Sequence, residues 1–469
     1  MGAGDIPKIA KAMRFYLGNP LSRMMVRAIS KRCKVCGDVR IDLAVRKYAG
    51  EELRLCFKCA SAYRLLSVIL GFAGRKFGVS EGKMKEFFGD SVFRRVLVNV
   101  IRSTGEYGIT VPQKLAAPFL VVWGITNSCN LACKHCYADA GIKKRDELST
   151  EDALNLIDQL ADFGIAALAF SGGEPLLRRD VYKLISYASS KKLYTALATN
   201  GTLVRPRVAK KLKQAGLQYA EVSIDGCKVT HDIFRGFEGV FERSVEGLKA
   251  LKKEGIYTCI ATTVSNYNIS EVDDIILLAK ELGVDRFIHF NFIPSRRGKS
   301  MESEDINQME REKLLRHLYK QNKENGMEIF STAPQYARVA LQMEAEPFLS
   351  YAFYGGKANG NLKEIADFIS GCGGGRLYCG IEANGDVVPC VFMPIRAGNM
   401  KERSFSEIWQ NSKIMEKLRT REGLEGVCGR CKYKYACSGC RSRAYAYFGR
   451  VNAPDPGCIY YRGEKLGVN

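Results

Sequence analysis

The sequence predicts an α/β protein built around an open, partial (β/α)6 barrel of the TIM type, with a helical N-terminal domain and a cysteine-rich C-terminal domain. Six apolar segments alternate with helical patterns over residues 116–300. Residues 1–115 are basic and carry two CxxC pairs, whereas residues 371–469 are dense in Cys and Gly. A polar, helix-like connector over 301–370 separates the barrel from the last domain.

The six apolar segments are predicted strands because they are rich in β-branched and aromatic residues and apolar nearly throughout, as strands buried on both faces are. They are PFLVVWGIT, IAALAFS, YTALATN, YAEVSID, YTCIATTV and DRFIHFNFI. Helices are expected between them, one beginning at LSTEDALNLIDQL, where Ser149 or Thr150 can cap. Six units are two short of a closed eight-stranded barrel, so the barrel should be open.

Polar residues cluster directly after these strands. They are Asn127, Ser128, residues 171–174, Asn200, Asp225 and Thr263. Parallel α/β sheets bind ligands at the edge where the carboxyl ends of their strands meet. The sequence therefore predicts the functional site at this end of the barrel.

The segment SCNLACKHCYADA follows the first strand and holds three cysteines, Cys129, Cys133 and Cys136. Structural zinc sites and most iron–sulfur clusters take four protein ligands. Three thiolates can hold three irons of a [4Fe-4S] cluster and leave the fourth iron open to a small ligand. A partial zinc site is the alternative.

This CxxxCxxC after the first strand of a partial barrel closely resembles the radical S-adenosylmethionine (SAM) superfamily. SGGEP follows the second strand, ATNGT the third, and SIDG with HDIFRG the fourth, in the register of that family. The resemblance implies a [4Fe-4S] cluster that binds SAM at its open iron. Electron transfer from the cluster then cleaves SAM to a 5′-deoxyadenosyl radical, which abstracts hydrogen from an unactivated carbon.

The resemblance also implies residue roles. The three cysteines would be the catalytic cluster ligands, Glu174 would take the SAM ammonium, Ser223 the ribose and Arg235 the carboxylate. His135 stands where the family usually has an aromatic residue. The full predicted cofactor-binding set is Cys129, Cys133, Cys136, His135, Gly172, Gly173, Glu174, Asn200, Ser223, Asp225 and Arg235.

Eight cysteines near the C-terminus resemble the SPASM extension of radical SAM enzymes, which holds two auxiliary [4Fe-4S] clusters. By that analogy one cluster would use Cys372, Cys379, Cys390 and Cys440, and the other Cys428, Cys431, Cys437 and Cys458. Two zinc-ribbon sites are the alternative. Asn384-Gly385 predicts a type I′ hairpin turn. GNMKERSFSEIW and GCRSRAYAYFG look most like the haem-biosynthesis branch of the family.

Two CxxC pairs in the N-terminal domain predict a four-thiolate site for Zn²⁺ or a single rubredoxin-like iron, with ligands Cys33, Cys36, Cys56 and Cys59. The remaining two cysteines, Cys227 and Cys259, are expected to be buried thiols.

Basic amphipathic helices surround this site. Asn19-Pro20 predicts a helix start, followed by an apolar face of Leu21, Met24, Met25, Ala28 and Ile29; a similar stripe precedes it at Ile9, Met13, Tyr16 and Leu17. Core packing explains such faces, and so does an interfacial helix on an anionic membrane. The net charge of +21 favours an anionic partner or a well-solvated surface.

The N-terminus lacks the pattern of a signal peptide, and 17 cysteines fit metal ligation in a reducing compartment. A cytoplasmic protein, or one peripheral at the membrane surface, is expected. LLSVILGFAG is too short to span a bilayer.

The sequence leaves three classes of substrate open. A large apolar, anionic substrate suits the chain, with membrane ether-lipid hydrocarbon chains slightly favoured because of the basic amphipathic N-terminus and the apolar stretches FSTAPQYARVALQM and FLSYAFYGG. Oxidative decarboxylation of porphyrin propionates is the alternative, and peptide modification the third. A reducing donor such as ferredoxin is expected, and nucleic acid is not, since no Arg-rich recognition helix stands out.

Overall fold

The computed structural model describes residues 19–77, 80–142, 144, 146–324, 326–343 and 371–463. The predicted stripe at Ile9, Met13, Tyr16 and Leu17, the stretch FLSYAFYGG and much of the 301–370 connector lie outside these residues.

One ten-stranded sheet forms the centre of the described structure, in the order β10-β9-β8-β1-β2-β3-β4-β5-β6-β7. Neighbouring strands from β1 to β7 pair in parallel, and β8 pairs in parallel with the free side of β1. The pairs β8–β9 and β9–β10 are antiparallel. The strands are β1 Leu120–Thr126, β2 Ala167–Gly172, β3 Tyr194–Thr199, β4 Tyr219–Ser223, β5 Tyr257–Val264, β6 Arg286–Asn291, β7 Glu328–Ser331, β8 Tyr378–Ile381, β9 Asp386–Val388 and β10 Gly398–Asn399.

The six predicted strands are confirmed as β1 to β6, and with the helices between them they make the predicted open, partial barrel. Two further strands extend it: β7 was not predicted, and β8, expected as one arm of a hairpin, was not predicted to join the barrel. β7 has four residues and lies inside the stretch predicted as a helical connector. β8 comes from the C-terminal domain and pairs with β1, a contact between distant segments that no local pattern encodes.

Seventeen α-helices complete the described part of the chain. They are α1 Pro20–Ile29, α2 Arg40–Tyr48, α3 Phe57–Phe77, α4 Glu81–Gly89, α5 Ser91–Tyr107, α6 Thr150–Phe163, α7 Val181–Ser190, α8 Pro206–Gln214, α9 Lys228–Arg235, α10 Val240–Lys253, α11 Val272–Glu281, α12 Gln308–Glu324, α13 Gln335–Met343, α14 Phe405–Asn411, α15 Lys413–Arg419, α16 Gly426–Arg430 and α17 Arg441–Phe448. The predicted cap of α6 is Ser149, in a capping box with Asp152.

Side chains on β1 alternate between two environments. Val121 and Trp123 point to the outer face and pack with the helices in the main core, whereas Leu120 and Val122 belong to a separate cluster on the inner face of the barrel. Because successive residues of a strand point to opposite faces, this alternation fixes which side chains reach the barrel interior.

The N-terminal helices dock against the base of the barrel through α5. Arg95 donates to the carbonyl oxygens of Ile165 at 3.1 Å and Lys191 at 2.7 Å, and Asn99 donates to Ala117 O at 2.6 Å. These hydrogen bonds hold the N-terminal helices against backbone carbonyls near the starts of the strands. Arg95, one of the basic residues of this domain, therefore serves to pack the domain onto the barrel.

Helix α1 starts as predicted, with the Asn19 side chain accepting from the Ser22 N–H at 2.7 Å. Its predicted apolar face is largely exposed in the described structure: Leu21 is 64% exposed, Met24 62% and Met25 45%. Val26, on the opposite side, is the buried residue and packs against Gly105 of α5. Core packing by the described residues therefore accounts for Ile29 of that face, but not for Leu21, Met24 and Met25.

The predicted hairpin between β8 and β9 is present, but its turn differs from the predicted type I′. The N–H of Gly385 donates to Glu382 O at 2.9 Å, and the N–H of Glu382 donates to Asp386 O at 2.8 Å. Positive φ occurs at Gly385 (+91°) and not at Asn384, which a type I′ turn would require. The loop therefore has three residues, with glycine at the left-handed position.

The last two features of the fold concern the two unassigned cysteines and the length of the apolar helices. Cys259 is fully buried as expected, whereas Cys227 is exposed at the start of α9. None of the helices in the described part of the chain is long and apolar enough to cross a membrane.

Candidate active site

The three-cysteine loop follows β1 and is closed by backbone hydrogen bonds. Cys129 N–H donates to Gly141 O at 2.8 Å, and Gly141 N–H donates to Asn127 O at 2.8 Å. Burial raises the pKa of the Cys129 thiol to about 11. Thiols bind metals as thiolates, so metal binding here would release protons.

The GGE segment after β2 packs directly on this loop. Gly173 N–H donates to Thr126 O at 2.8 Å, and Glu174 N–H donates to Ser128 O at 2.7 Å. A Cβ on Gly173 would lie 2.1 Å from Ser128 O, so only glycine permits this approach.

Glu174 is completely buried, and hydrogen bonds fix its carboxylate. Oε1 accepts from the Thr199 hydroxyl at 2.8 Å and from the Leu176 N–H at 3.2 Å, while Oε2 accepts from the Asn200 N–H at 2.9 Å. Burial raises its pKa to about 6, although these donors favour the charged form. The charge of Arg235 also acts to lower this pKa, and a further cation beside Glu174 would stabilise the carboxylate more.

Arg235 links helix α9 to the cysteine loop. Its guanidinium lies 2.5 Å from Asp225 Oδ2 and donates to Cys133 Sγ at 3.6 Å. His135 Nε2 lies 3.5 Å from the same carboxylate, and its ring stacks on Phe234 with centroids 4.1 Å apart. Burial and the nearby Arg235 lower the pKa of His135 well below its usual value, so the imidazole is neutral.

Asn200 braces the cysteine loop. Its Nδ2 donates to Asn130 Oδ1 at 3.0 Å, and its Oδ1 accepts from the Thr202 N–H at 2.9 Å. This side chain therefore holds the loop in place and lies at the edge of the space that the loop encloses.

A single cavity collects most of the predicted site. Its lining includes Cys129, Cys133, His135, Cys136, Gly172, Gly173, Asn200, Ser223 and Arg235. Glu174 and Asp225 lie behind this wall, fully buried, and reach it through the hydrogen bonds and ion pair described above. Residues from the ends of four strands and from helix α9 thus meet at one cavity, because the carboxyl ends of parallel strands lie at the same end of the barrel.

A second, larger cavity lies next to the first in the barrel, and its ≈ 1110 Å³ of space includes open solvent at the mouth. Its inner wall is largely apolar, and none of the described residues that line it is Lys or Arg. The two cavities share Tyr137, Ser171, Ala198, Glu221, Phe290 and Phe392 as walls. A molecule in the larger cavity would therefore be in contact with the smaller one.

Glu221 lies between the cavities and was not predicted as a site residue. It sits inside β4 with 6% of its surface exposed, and its Oε2 makes no hydrogen bond within the described residues. Burial raises its pKa to about 8. The signal available in the sequence was one acidic residue in the otherwise apolar strand YAEVSID.

The C-terminal cysteines form two groups. Cys428, Cys431, Cys437 and Cys458 line one pocket together, as the sequence analysis grouped them. Cys372, Cys390 and Cys440 line the large barrel cavity. Cys379, grouped with these three in the prediction, packs instead in the main core on the outer face of the sheet.

The four N-terminal cysteines come together as the spacing predicts. The sulfurs of Cys33, Cys36, Cys56 and Cys59 all lie within 4.8 Å of one another. Tetrahedral Zn–S bonds of about 2.3 Å place sulfurs about 3.8 Å apart, so the group fits one ion. Backbone N–H groups of Cys36 and Val35 lower the pKa of Cys33 to about 6, which favours the thiolate form.

Comparison with known proteins now gives the family. Residues 123–305 match the radical SAM superfamily, and residues 372–432 match SPASM, an iron-sulfur cluster-binding domain. The chain belongs to the radical SAM superfamily. It is a radical SAM enzyme with a SPASM domain, as the motifs indicated, and members of this family bind SAM and [4Fe-4S] clusters.

The chain is similar to two synthases of known name and to one solved structure. The chain is 40% identical over 352 residues to the AdoMet-dependent heme synthase of Methanosarcina barkeri, covering 74% of this chain and 98% of the relative. It is 35% identical over 361 residues to the Fe-coproporphyrin III synthase of the same organism, covering 74% and 89%. SAM-bound Streptococcus suis SuiB has the same fold, with a TM-score of 0.62, 15% identity, and coverage of 86% and 89%.

Proposed function

We propose that this enzyme oxidatively decarboxylates propionate side chains of an iron porphyrin, the second of the substrate classes considered from the sequence. The observation that carries the proposal is the 40% identity to an AdoMet-dependent heme synthase across 98% of that relative. Membrane lipid, slightly favoured from the sequence, has no support among these relatives. The largely apolar cavity beside the predicted SAM site fits a flat, apolar ring.

In this proposal the first cavity holds SAM on a [4Fe-4S] cluster. The ligands are Cys129, Cys133 and Cys136, and the cluster with SAM supplies a radical able to abstract hydrogen from a propionate carbon. Glu174 pairs with the SAM ammonium, because its buried carboxylate accepts three hydrogen bonds but forms no ion pair among the described residues.

Arg235 orients the SAM carboxylate and also lies against a cluster ligand. Asp225 positions it from behind, through the ion pair of 2.5 Å. His135 is neutral and stacked, so its proposed role is to pack beside the cluster and exclude water. Ser223, at the end of β4, lines the cavity where the ribose would lie.

The C-terminal cysteines hold two auxiliary clusters in this proposal. The group of Cys428, Cys431, Cys437 and Cys458 offers a complete set of four thiolates, which suits electron transfer. The overall reaction needs such a path: each propionate loses CO2, one hydrogen atom and one electron to become a vinyl group. Auxiliary clusters held by these cysteines would supply a path for that electron to an external acceptor, and a ferredoxin-like donor would supply the electron that the first cluster needs.

The N-terminal four-cysteine group holds one Zn²⁺ or one iron. The exposed apolar residues Leu21, Met24 and Met25 with their basic neighbours suit peripheral contact with an anionic membrane. Flotation with anionic vesicles measures that contact, and Met24→Glu with Met25→Glu should abolish it. Binding that is unchanged in this variant would contradict the membrane proposal.

The test of the substrate uses anaerobically reconstituted full-length protein with dithionite, SAM, an electron acceptor and iron coproporphyrin. We expect 5′-deoxyadenosine together with porphyrin products that have lost the elements of formic acid at propionate positions, read by mass spectrometry. Deuterium placed on the propionate carbons should appear in the 5′-deoxyadenosine. Cys133→Ala is the inactive control. SAM cleavage without porphyrin change or deuterium transfer would exclude this substrate and keep the radical SAM chemistry.

A further inference from the structure

Glu221 is the acidic side chain at the boundary between the two barrel cavities. It lines both of them, and among the described residues of the larger cavity it carries the only carboxyl group. Glu221 is almost completely buried, and its Oε2 has no hydrogen-bond partner within the described residues. A buried polar atom without a partner costs free energy, so such a group in a cavity wall indicates a polar ligand that the cavity receives.

The position of Glu221 on β4 sets its level in the barrel. Ser223, the proposed ribose contact, lies two residues further along the strand and lines the first cavity but not the larger one. Tyr219, two residues back, belongs to the apolar cluster on the inner face. Residues two apart on a strand point to the same face and lie about 7 Å apart. Glu221 is therefore next to the proposed SAM site, at the level where the two cavities meet.

One cation acts on Glu221 among the described residues, and another carboxylate already pairs with it. Arg286 of β6 acts to lower the pKa of Glu221, but its guanidinium lies 2.5 Å from Glu328 Oε2. Burial outweighs the effect of Arg286 and raises the pKa of Glu221 to about 8. At pH 7 the Glu221 carboxyl is therefore mostly protonated, and a protonated carboxyl group can donate a hydrogen bond.

The other ionisable groups that face Glu221 carry no charge near neutral pH. They are Tyr137 in the cysteine loop, Tyr219 on the same strand and Cys259 opposite Glu221 on β5. Burial raises the pKa of all three, to about 12 for Tyr137. The neighbour of Glu221 on β3 is Ala198, which does not ionise. Among these described groups, Glu221 alone changes its charge between pH 7 and pH 9.

A carboxylate that enters the larger cavity needs a hydrogen-bond donor from the wall. None of the described residues that line this cavity is Lys or Arg. The hydroxyls of Tyr137 and Ser171 hydrogen-bond to each other at 3.0 Å, which occupies one of their two protons. A protonated Glu221 offers a further donor at the same boundary. A carboxylic acid kept neutral by an apolar site is suited to donate to an anionic oxygen.

A contact with the carboxylate would also place the carbon that reacts. When a propionate becomes a vinyl group, the carbon that loses hydrogen is bonded to the carbon that carries the carboxylate. A carboxylate held at Glu221 therefore keeps this hydrogen close to the first cavity, where Ser223 is proposed to contact the SAM ribose. Hydrogen transfer requires such placement of the reacting atoms.

We propose that Glu221 binds the carboxylate of the reacting propionate by donating a hydrogen bond from its protonated carboxyl group. This inference rests on the proposed function, because it takes a porphyrin with carboxylate side chains as the substrate. It adds the residue that selects and positions the propionate. Glu221 keeps its proton throughout, since the propionate loses CO2, a hydrogen atom and an electron but no proton.

The test measures binding of iron coproporphyrin to full-length, anaerobically reconstituted protein through the change in porphyrin absorbance. Between pH 7 and pH 9, binding by the parent should weaken about tenfold more than binding by Glu221→Gln, because ionised Glu221 repels the carboxylate whereas the amide donates at both pH values. Glu221→Leu should bind about tenfold more weakly than the parent at pH 7, as expected for the loss of a hydrogen bond to a charged group. Iron content and circular dichroism show that each variant is folded.

Two controls separate this contact from other effects of pH. Glu246→Gln changes an exposed carboxylate of α10 and should bind the porphyrin as the parent does. Iron coproporphyrin with its carboxylates converted to amides is the second control, and with it the parent and Glu221→Gln should respond to pH alike. The same pH response of both proteins to the free acid, or a difference between them that persists with the amide, would overturn the proposal.

Turnover distinguishes a failure of this inference from a failure of the proposed function. With porphyrin deuterated at the propionate carbons, Glu221→Leu should place less deuterium in 5′-deoxyadenosine than the parent, and Glu221→Gln should restore most of it. If the parent binds and converts the porphyrin and Glu221→Leu equals it in both, the inference is wrong and the proposed function stands. If the parent neither binds nor converts the porphyrin, the proposed function is wrong and this inference with it.

Discussion

The three-cysteine loop of the barrel and the cysteine groups of the C-terminal domain are both built for iron–sulfur clusters, yet they assemble differently. The loop places its cysteines within residues 129–136 of one segment, closed by its own backbone hydrogen bonds. The C-terminal groups draw on residues 372–458, from a hairpin, short helices and the loops between them. A local motif therefore specifies its ligands by spacing, whereas a dispersed one depends on which face each strand presents.

Breaking the local loop should have the largest effect. Cys133→Ala removes a ligand of the only cluster proposed to bind SAM, so we expect reductive SAM cleavage to fall below detection. The C-terminal and N-terminal iron or zinc should remain, because those groups share no ligand with the loop. The readouts are 5′-deoxyadenosine yield and metal content.

The exposed Cys227, which belongs to no group, provides the matched control. Cys227→Ala should cleave SAM at the rate of the unmodified protein. If Cys133→Ala retained cleavage, the loop would not be the SAM site.

A second substitution tests how closely the loop depends on its neighbour. Gly173→Ala places a Cβ 2.1 Å from Ser128 O, so the loop or the GGE segment must shift. We expect a loss of a few kcal/mol in the free energy of unfolding, as for other overpacked sites, and poor incorporation of the loop cluster. Gly82→Ala, with nothing within 4 Å and a helical setting, should be neutral or slightly stabilising in chemical denaturation.

Arg235 gives a smaller and more specific effect. Arg235→Met removes a charged donor from the proposed SAM carboxylate and leaves Asp225 buried without its counter-ion. Hydrogen bonds to charged groups contribute about 1.5–3 kcal/mol, so the Kd for SAM should rise roughly tenfold to a hundredfold. Isothermal titration with reconstituted protein measures it. Arg243→Met, on an exposed helix start, is the control expected to leave the Kd unchanged.

Glu221 should give an effect on stability that is nearly absent at pH 5 and grows only as the pH rises. Burial raises its pKa to about 8 in the folded protein, well above the value of about 4.5 that is ordinary for glutamate. The folded state then holds the proton more tightly, so this group makes the protein less stable as pH rises from about 4.5 through about 8. Glu221→Gln should therefore be more stable than the parent at pH 8.5 and similar to it at pH 5, in denaturation midpoints. A difference that is equal at both pH values would mean that Glu221 does not titrate in this window.

The sequence predicted most of the barrel strands, and the meeting of the predicted site residues at one end of the barrel, for a physical reason. Strands buried on both faces are apolar throughout, and the polar residues that follow them must meet at one edge of a parallel sheet. Hence the loop cysteines, Gly172, Gly173 and Asn200, which follow the strands, line one cavity together with Ser223 and Arg235, which the resemblance to the radical SAM superfamily assigned. Glu221 was missed because a single acid inside an apolar strand gives no pattern until its neighbours are known.

By itself the sequence determined strands β1 to β6, the radical SAM motifs and the grouping of Cys33, Cys36, Cys56 and Cys59, since each rests on short-range patterns. Only the tertiary structure decided that β8 joins the barrel beside β1, and with it that Cys379 faces the core while Tyr378 faces the cavity. The reason is the two-residue period of a strand: one position of register turns a ligand into a core residue, and register is set by pairing between segments far apart in the chain.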